Sequence, residues 1–330
     1  MFKFYLTFDV EDFISKNAIP ALHTLLEGMN NLDLKGLFFI TAHKAEKLQD
    51  YPSTVDLLNE HIIGYHSSGH TVHPTIPEFT DLENYQEARV VSLERETRHI
   101  NPLTGEMEGR GGILALRNLF PRKKINSFRA PGMCWSPPHL EAQRSLGIEH
   151  DFSTNVSSVP VSYKGITFFP PFFLGHWEGR RSDYTIILRH LLRSMHLVMC
   201  MHPSFIVNST AWDMAYCGGS NPNKFIQPVA RRPEEAKFLF NKWNYLLKQV
   251  KSLQRLGLLE ATPNLQQSNR NLTKTIMDVE NWYRTSMNWT TTIDHHPKFI
   301  HDHFFRFFEV GKSAIDKNKT ADCAVNCESA

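Results

Sequence analysis

The chain has 330 residues, which is enough for about two ordinary domains or for one barrel-type domain with an appendage. Its 36 Lys and Arg against 34 Asp and Glu leave a net charge of +2, which argues against nucleic-acid binding through a basic surface. The 17 histidines stand out, because histidine is the commonest metal ligand in proteins. Their positions decide whether they have a function.

The N-terminal segment and the cysteines bear on the compartment. The segment from Met1 to Asp9 lacks the basic region and the cleavage site of a signal peptide. No apolar run reaches the roughly 18–20 residues that a membrane span needs. The five cysteines are scattered and odd in number, which does not suggest a disulfide framework. We therefore expect a cytoplasmic protein that binds neither membranes nor nucleic acid, and we leave open whether it forms a homo-oligomer.

Apolar, β-branched runs alternate with helix-like stretches along the chain. The pattern predicts strands over 2–8, 34–41, 62–65, 126–129, 167–169 and 196–201. It predicts a helix that ends near Gly28, a loop over 101–110, and further helices over 53–60, 82–99, 138–146 and 233–256. Such alternation is typical of parallel strands with helices outside them, either as an open sheet or as a barrel.

Polar residues stand where four of the predicted strands end. Asp9 ends the first strand, His66 follows the third, Arg129 ends a later one and His202 follows the strand over 196–201. In α/β barrels the catalytic residues lie at the carboxyl ends of the strands. The sequence therefore predicts that these four side chains share one site.

Three carboxylates follow the first strand within four residues. Asp9 and Glu11 point the same way in extended backbone, because side chains alternate with a period of two. Carboxylates so close together repel one another unless a cation lies among them. An acidic loop without a cation is the alternative, and Asp12 belongs to the same cluster.

The histidine-rich stretch from His66 to His73 contains two pairs with metal-ligand spacing. His66 and His70 are four residues apart, and His70 and His73 are three apart. Either pair suits one metal ion if the segment turns helically, although a polar loop of hydrogen-bonded histidines explains the pattern equally well. Two histidines with one carboxylate leave coordination positions open for water and substrate.

Two further residues offer catalytic chemistry. Arg129 precedes the rigid Pro131 and can pair with a carboxylate. His202, delivered by an apolar strand, can act as a general acid, although a packing role is also consistent with its position.

Together these motifs resemble the polysaccharide deacetylase family (carbohydrate esterase family 4, the NodB-homology domain). The resemblance spans about residues 1–262 and rests on the order of four motifs. These are Thr7-Phe8-Asp9, His66-Ser67-Ser68-Gly69-His70, Arg129-Ala130-Pro131 and Met199-Cys200-Met201-His202.

The resemblance implies an α/β fold, a distorted (β/α) barrel that usually has seven strands. It assigns 1–262 to a catalytic domain and leaves 263–330 as a C-terminal helical appendage of unknown role. It implies a metal-dependent N-deacetylase that acts on an acetylated saccharide or its precursor. Hydrolysis of a non-sugar amide or cyclic imide on the same fold, and an inactive saccharide-binding relative, are the alternatives.

The resemblance also implies a metal site. His66 and His70 would be metal ligands. The family's carboxylate ligand commonly follows the base directly, where this chain has Val10, so Glu11 is the expected ligand and Asp12 the alternative. The expected cofactor is a divalent cation, zinc before cobalt, nickel, iron or manganese.

The catalytic roles follow from the same resemblance. Asp9 would be the general base, and Arg129 would orient it. His202 would be the general acid. Asp151, in a segment similar to a family motif, would support His202.

Overall fold

A computed structural model describes residues 1–82, 84–133, 136–153, 160–169, 172–173 and 196–265. Twelve strands lie within these residues. They are β1 (Phe2–Val10), β2 (Leu37–Ile40), β3 (Ile62–Tyr65), β4 (His99–Ile100), β5 (Met107–Glu108), β6 (Ser127–Phe128), β7 (His150–Asp151), β8 (Val161–Tyr163), β9 (Ile166–Phe168), β10 (Phe172–Phe173), β11 (His196–Met201) and β12 (Leu259–Ala261).

The helices of the described residues alternate with the strands, as the sequence predicts. They are α1 (Ala18–Asn31), α2 (Ala42–Leu48), α3 (Pro52–Leu58), α4 (Ile76–Phe79), α5 (Tyr85–Arg95), α6 (Ile113–Leu119), α7 (Pro137–Ser145) and α8 (Pro233–Arg255). Short 3-10 turns cover Pro131–Met133, Pro203–Ile206 and Met214–Tyr216.

Ten of the strands form one sheet in the order β10-β11-β1-β2-β3-β6-β7-β9-β8, with β12 added beside β1. All neighbours are parallel except β8 and β9. One side of β1 pairs with β11 over Lys3 to Phe8, and the other side is shared by β12 and β2. The α/β class and the barrel-like parallel sheet are thus confirmed, with eight consecutive parallel strands among the described residues rather than seven.

The sheet is buried on both faces. Seven of the nine residues of β1 are buried, and all four of β2 are buried. This is the expected consequence of covering a parallel sheet with helices on its faces. Phe8 stacks on Phe38 of β2 at 4.5 Å and meets Trp243 of α8 edge-on at 5.5 Å. The long helix α8 is therefore part of the same core as the sheet.

The sequence pattern does not predict α2, α4, α6, β7, β8, β10 or β12, and two features that it does predict differ in the structure. The helix α1 continues through Gly28 to Asn31. A Cβ at Gly28 would lie 2.8 Å from Asn244 Oδ1 of α8, so the glycine allows the two helices to approach closely. The predicted loop over 101–110 contains β5, which pairs with β4 as an antiparallel hairpin.

The carboxyl ends of the parallel strands carry the candidate residues. Asp9 is the next-to-last residue of β1. His66, Arg129 and His202 directly follow β3, β6 and β11. Because the strands run in the same direction, these residues emerge at one edge of the sheet.

Candidate metal centre and active site

Asp9 is buried at the carboxyl end of β1. Its Oδ1 accepts a hydrogen bond from Arg129 Nη1 at 2.6 Å, and its Oδ2 accepts one from the Cys200 thiol at 3.1 Å. Arg129 also donates to Thr7 Oγ1 at 2.8 Å and to the Phe152 carbonyl at 3.3 Å. The guanidinium is therefore held by several strands, and it holds one oxygen of Asp9 in place.

Opposing effects set the charge of Asp9. Burial alone would raise the pKa of Asp9, but the Arg129 guanidinium and two nearby histidines outweigh burial and hold that pKa below its ordinary value. Burial would lower the pKa of Arg129, but the carboxylate of Asp9 raises it. Asp9 is therefore ionised at neutral pH, which is the state a general base requires.

A second group of side chains, formed by Glu11, His66 and His70, lies beside Asp9. Glu11 Oε2 is 3.0 Å from His66 Nε2 and 2.9 Å from His70 Nε2. One potential ligand atom from each of the three residues lies within 4.8 Å of the others. The structure thus brings together the three residues that the sequence predicts as metal ligands. Val10, which separates Asp9 from Glu11, points into the apolar core instead.

The backbone between the two histidines turns sharply. Ser67 and His70 have positive φ angles of 62° and 46°, so the segment is a tight turn rather than the helical turn the spacing suggests. Gly69 lies inside this turn, where a Cβ would meet Val72 Cβ at 3.0 Å. The turn brings the Nε2 atoms of both imidazoles close to the same oxygen, Glu11 Oε2.

The donor set fits a divalent cation. His66 Nδ1 lies 2.7 Å from the Arg129 carbonyl oxygen, and a carbonyl can only accept, so Nδ1 carries a proton and Nε2 faces Glu11. Zinc ligands at bonds of about 2.0–2.1 Å in a tetrahedron lie about 3.3 Å apart. The two separations of 2.9 and 3.0 Å at Glu11 Oε2 need only a small adjustment to reach that value.

Charges in this second group are complementary. Burial alone would raise the pKa of Glu11, but His70 and the other histidines around it hold that pKa well below its ordinary value. Burial would lower the pKa of His70, but Glu11 raises it to about 9. The two neighbouring carboxylates therefore have separate positive partners, with Arg129 at Asp9 and imidazoles at Glu11.

His202 lies between the two carboxylates. Its Nε2 is 3.6 Å from Asp9 Oδ2 and 3.7 Å from Glu11 Oε1, and its ring packs on Phe205 at 5.0 Å. The side chain of His202 is 13% exposed, against 4% for Asp9 and 5% for Glu11. It is therefore the member of this trio that is most accessible to a substrate.

Asp12, the alternative ligand, lies apart from the histidines. Its Oδ1 accepts from the backbone N–H groups of Ile14 and Ser15, at 3.1 and 2.8 Å. Its Oδ2 accepts from Asn208 Nδ2 at 3.2 Å. Oδ1 thus holds a turn and Oδ2 a contact with distant Asn208, which favours Glu11 over Asp12 as the carboxylate ligand.

Asp151 does not contact His202, against the expectation from the sequence. Its Oδ1 accepts from the backbone N–H of Ser153 at 2.8 Å, and its Oδ2 accepts from the Ser153 hydroxyl at 3.1 Å. The reason is the strand order, in which β1, β2, β3 and β6 separate β7 from β11. Ser153 Oγ accepts from the backbone N–H of Ala130 at 2.7 Å, so Asp151 supports the turn beside Arg129.

Cys200 is part of the site, although the sequence analysis assigns it no role. The side-chain period of two along β11 places it on the same side as His202, and that period could have identified it. Asp9, Cys200 and His202 also have potential ligand atoms within 4.8 Å of one another. Arg129 Nη1 lies 3.2 Å from Cys200 Sγ, however, and this positive charge opposes a cation there.

Trp212 and Asp213 are also missing from the sequence analysis. Trp212 Nε1–H donates to Glu11 Oε1 at 3.0 Å, and Asp213 Oδ2 is 3.5 Å from His70 Nδ1. Both residues belong to the irregular segment after β11, where no periodicity signals a contact with the ligands.

Comparisons with family models and with curated proteins give no match. Solved structures do match. A Streptococcus mutans CE4 esterase has 13% identity and a TM-score of 0.42 over 79% of this chain and 85% of its own. The Bc1960 peptidoglycan N-acetylglucosamine deacetylase has 16% identity and a TM-score of 0.40 over 82% of this chain and 90% of its own. A 4-alpha-glucanotransferase from Thermococcus litoralis has 10% identity and a TM-score of 0.47 over 79% of this chain and 39% of its own.

The matched structures thus include members of the family that the sequence motifs resemble, together with CE4 pseudoenzymes and an enzyme of another activity. At such identities and TM-scores these likenesses assign no role to any residue of this chain. The case for a function therefore rests on the geometry of the site.

Two further observations concern membrane spans and disulfides. Within the described ranges, no helix combines the length and the apolar character that crossing a bilayer requires. Cys217 is disulfide-bonded, and a single bond of this kind does not make a disulfide framework. Disulfides are more common in oxidising compartments than in the cytoplasm.

Most of the predicted appendage, from residue 266 onward, lies outside the described residues.

Proposed function

We propose that this chain is a metal-dependent hydrolase that removes the N-acetyl group from an acetylated saccharide. The observation that supports it is that two buried carboxylates have different partners. Asp9 is held by Arg129 at 2.6 Å, while Glu11 lies at 2.9–3.0 Å from two imidazoles. A general base and a cation site thus lie side by side, with a third histidine beside both.

Glu11, His66 and His70 would hold the cation, and zinc is the ion we expect. A divalent cation at this position supplies Lewis acidity, which lowers the pKa of water towards about 7 and polarises an amide carbonyl. The three protein ligands leave room for both water and substrate.

Asp9 acts as the general base. Its ionised carboxylate accepts the proton of the water that attacks the acetyl carbonyl carbon. Arg129 keeps the carboxylate in one orientation through Oδ1, and this leaves Oδ2 as the oxygen nearer to His202.

His202 acts as the general acid. Its Nε2–H protonates the leaving nitrogen as the C–N bond breaks, so that an amine departs rather than an amide anion. The products are acetate and the free amine of the sugar. The position of His202 beside Asp9 allows one residue to remove a proton and the other to supply one on the same substrate.

Release of acetate from a panel of N-acetylated sugars, oligosaccharides and nucleotide sugars tests this function. We expect release by the metal-loaded chain, loss of release with a chelator, and recovery on adding zinc. Asp9→Asn should lower kcat by about 10²–10⁴-fold, the usual contribution of a general base. The matched control is Asp33→Asn, which changes an exposed carboxylate paired with Lys251.

Other results would overturn the proposal in distinct ways. Chelator-sensitive hydrolysis of cyclic imides but of no acetylated sugar would identify a different substrate class. Sugar binding without acetate release, unchanged by Asp9→Asn, would identify a binding protein. Full activity in the metal-free chain would exclude the role assigned to Glu11, His66 and His70.

A further inference from the structure

Because Trp212 contacts Glu11, the two oxygens of the Glu11 carboxylate have different partners. Glu11 Oε2 faces His66 Nε2 and His70 Nε2, whereas Oε1 accepts from Trp212 Nε1–H at 3.0 Å. An indole nitrogen is a donor only, so this contact always directs an acceptor lone pair of Oε1 towards Trp212. Oε2 is the oxygen left for a cation.

The indole has little freedom to move away from Glu11. Trp212 is buried, and its ring meets Phe13 at 5.0 Å, His70 at 5.5 Å and Tyr216 at 6.3 Å. It therefore packs against one candidate ligand while it hydrogen-bonds another. Partners of this kind, which fix the orientation of a ligand without touching the metal, commonly tune metal affinity.

From this geometry we infer that Trp212 is a positioning residue that holds Glu11 as a monodentate ligand through Oε2. Bidentate binding would require Oε1 to turn towards the cation and leave the indole N–H buried without an acceptor, which costs free energy. The inference rests on the proposed cation site. Its effect is on how strongly, and with how many ligand atoms, that site binds its ion.

Asp213, which follows Trp212 in the chain, lies beside the ring nitrogen of His70 that does not face Glu11. Its Oδ2 is 3.5 Å from His70 Nδ1, which has no hydrogen-bond partner in the described part of the chain, so the two groups interact through charge alone. One short segment after β11 thus lies against two candidate ligands that come from the ends of β1 and β3, and it hydrogen-bonds one of them, Glu11.

The test is the equilibrium affinity of the full chain for Zn²⁺, measured by competition with a chromophoric chelator, and the absorption spectrum of bound Co²⁺. Trp212→Phe removes the N–H and keeps an aromatic ring. We expect it to weaken Zn²⁺ binding by about 10–100-fold, the usual effect of losing such a partner. We also expect a lower Co²⁺ absorptivity, because a freed Oε1 raises the coordination number.

Tyr216→Phe is the matched control in the same segment. It removes a hydroxyl that donates to the Pro102 carbonyl at 2.8 Å and touches no candidate ligand. It should leave both the Zn²⁺ affinity and the Co²⁺ spectrum unchanged. In a Glu11→Ala background, Trp212→Phe should cause no further loss, because its effect passes through Glu11. An equal loss in that background would show a merely structural role and overturn the inference.

A measurement on the unmodified chain avoids any dependence on the folding of the variant. Zn²⁺ should shift the ¹⁵N-indole resonance of one of the six tryptophans, and the other five serve as internal references. No shifted indole, or wild-type affinity in Trp212→Phe, would overturn the inference and leave the proposed function standing. Failure of the wild-type chain to bind any divalent cation would overturn both.

Discussion

Arg129 Nη1 lies 2.6 Å from Asp9 Oδ1, and this buried pair joins the end of β6 to the end of β1 across β2 and β3. Both side chains are at least 96% shielded from solvent. The guanidinium also lies 4.4 Å from the centre of the Phe39 ring, so charge, hydrogen bonding and stacking all act on one group. Arg129 therefore contributes both to the candidate site and to the packing of the fold.

Replacing Arg129 should therefore cost stability as well as activity. Arg129→Met leaves Asp9 as a buried charge without its main partner, and loss of one member of a buried pair typically costs about 3–5 kcal/mol. Arg129→Lys should cost less but still lose the contacts to Thr7 and Phe152, because an ammonium lacks the planar fork. Urea unfolding measures both variants.

The surface pair of Arg98 and Glu94, at 3.1 Å, offers the control. Arg98→Met should change the free energy of unfolding by less than about 1 kcal/mol, because exposed ion pairs contribute little. Equal losses for Arg98→Met and Arg129→Met would contradict the importance assigned to the buried pair.

The second prediction separates Glu11 from Asp12. Glu11→Gln should weaken Zn²⁺ binding by at least about 100-fold, since removal of a ligand costs more than the 10–100-fold typical of its supporting partners. Asp12→Asn should keep the affinity, because the asparagine Oδ1 still accepts from Ile14 and Ser15. It should lose about 1 kcal/mol of stability with the Asn208 contact. Chelator competition and urea unfolding measure the two effects. The reverse order of affinities would make Asp12 the ligand.

Much of the site was predictable from strand geometry alone. The period of two places Asp9 and Glu11 on one side, and the common direction of parallel strands brings His66, Arg129 and His202 to the same edge. These predictions need only local rules. The position of each residue relative to its own strand is enough.

The rest depended on the order of the strands and on the path of irregular chain. Asp151 stands at the end of a strand like the others, but four strands separate β7 from β11, and sequence alone does not give that order. The contact between Trp212 and Glu11 joins residues that are 201 positions apart. It is formed by a segment without regular structure, so no hydrophobic period could signal it.

The third prediction concerns Asp151 and the pH dependence of stability. Burial raises the pKa of Asp151 to about 7, from 3.8 in the unfolded chain. The folded state therefore binds the proton more tightly, and stability is lost as the pH rises from about 4 to 7. Asp151→Asn cannot ionise and should remove this loss, which amounts to at most about 1.4 kcal/mol for each pH unit.

Urea unfolding of wild type and Asp151→Asn between pH 4 and pH 8 measures the difference. We expect the free energy of unfolding of the variant to increase relative to that of the wild type as the pH rises. This difference should stop growing above about pH 7, where the folded carboxyl is also ionised. Asp33→Asn, at an exposed carboxylate, is the control. A difference that stays constant across this range would show that the folded Asp151 titrates like the unfolded one.

The fourth prediction concerns acid sensitivity at His61, which is remote from the site. Burial, together with Lys35 and Lys123, lowers the pKa of His61 from 6.5 to about 3. The unfolded chain therefore binds a proton that the folded chain does not, and stability falls as the pH drops from about 6.5 towards 3. His61 Nδ1 accepts from the Gly36 backbone N–H at 3.2 Å, and the Oδ1 of asparagine can replace that acceptor. His61→Asn should make the decline shallower by up to about 1.4 kcal/mol per pH unit.

Urea unfolding of both chains from pH 7 to pH 4 gives these slopes. The variant should keep part of the decline, because burial also lowers the pKa of His150 to about 4. His23→Asn, at a more exposed imidazole, controls for the loss of a histidine as such. Identical slopes for wild type and His61→Asn would mean that His61 is protonated in the folded chain. Its Nδ1 would then carry a proton that faces the Gly36 N–H from which it now accepts, and the buried Nε2–H already has no acceptor in the described part of the chain.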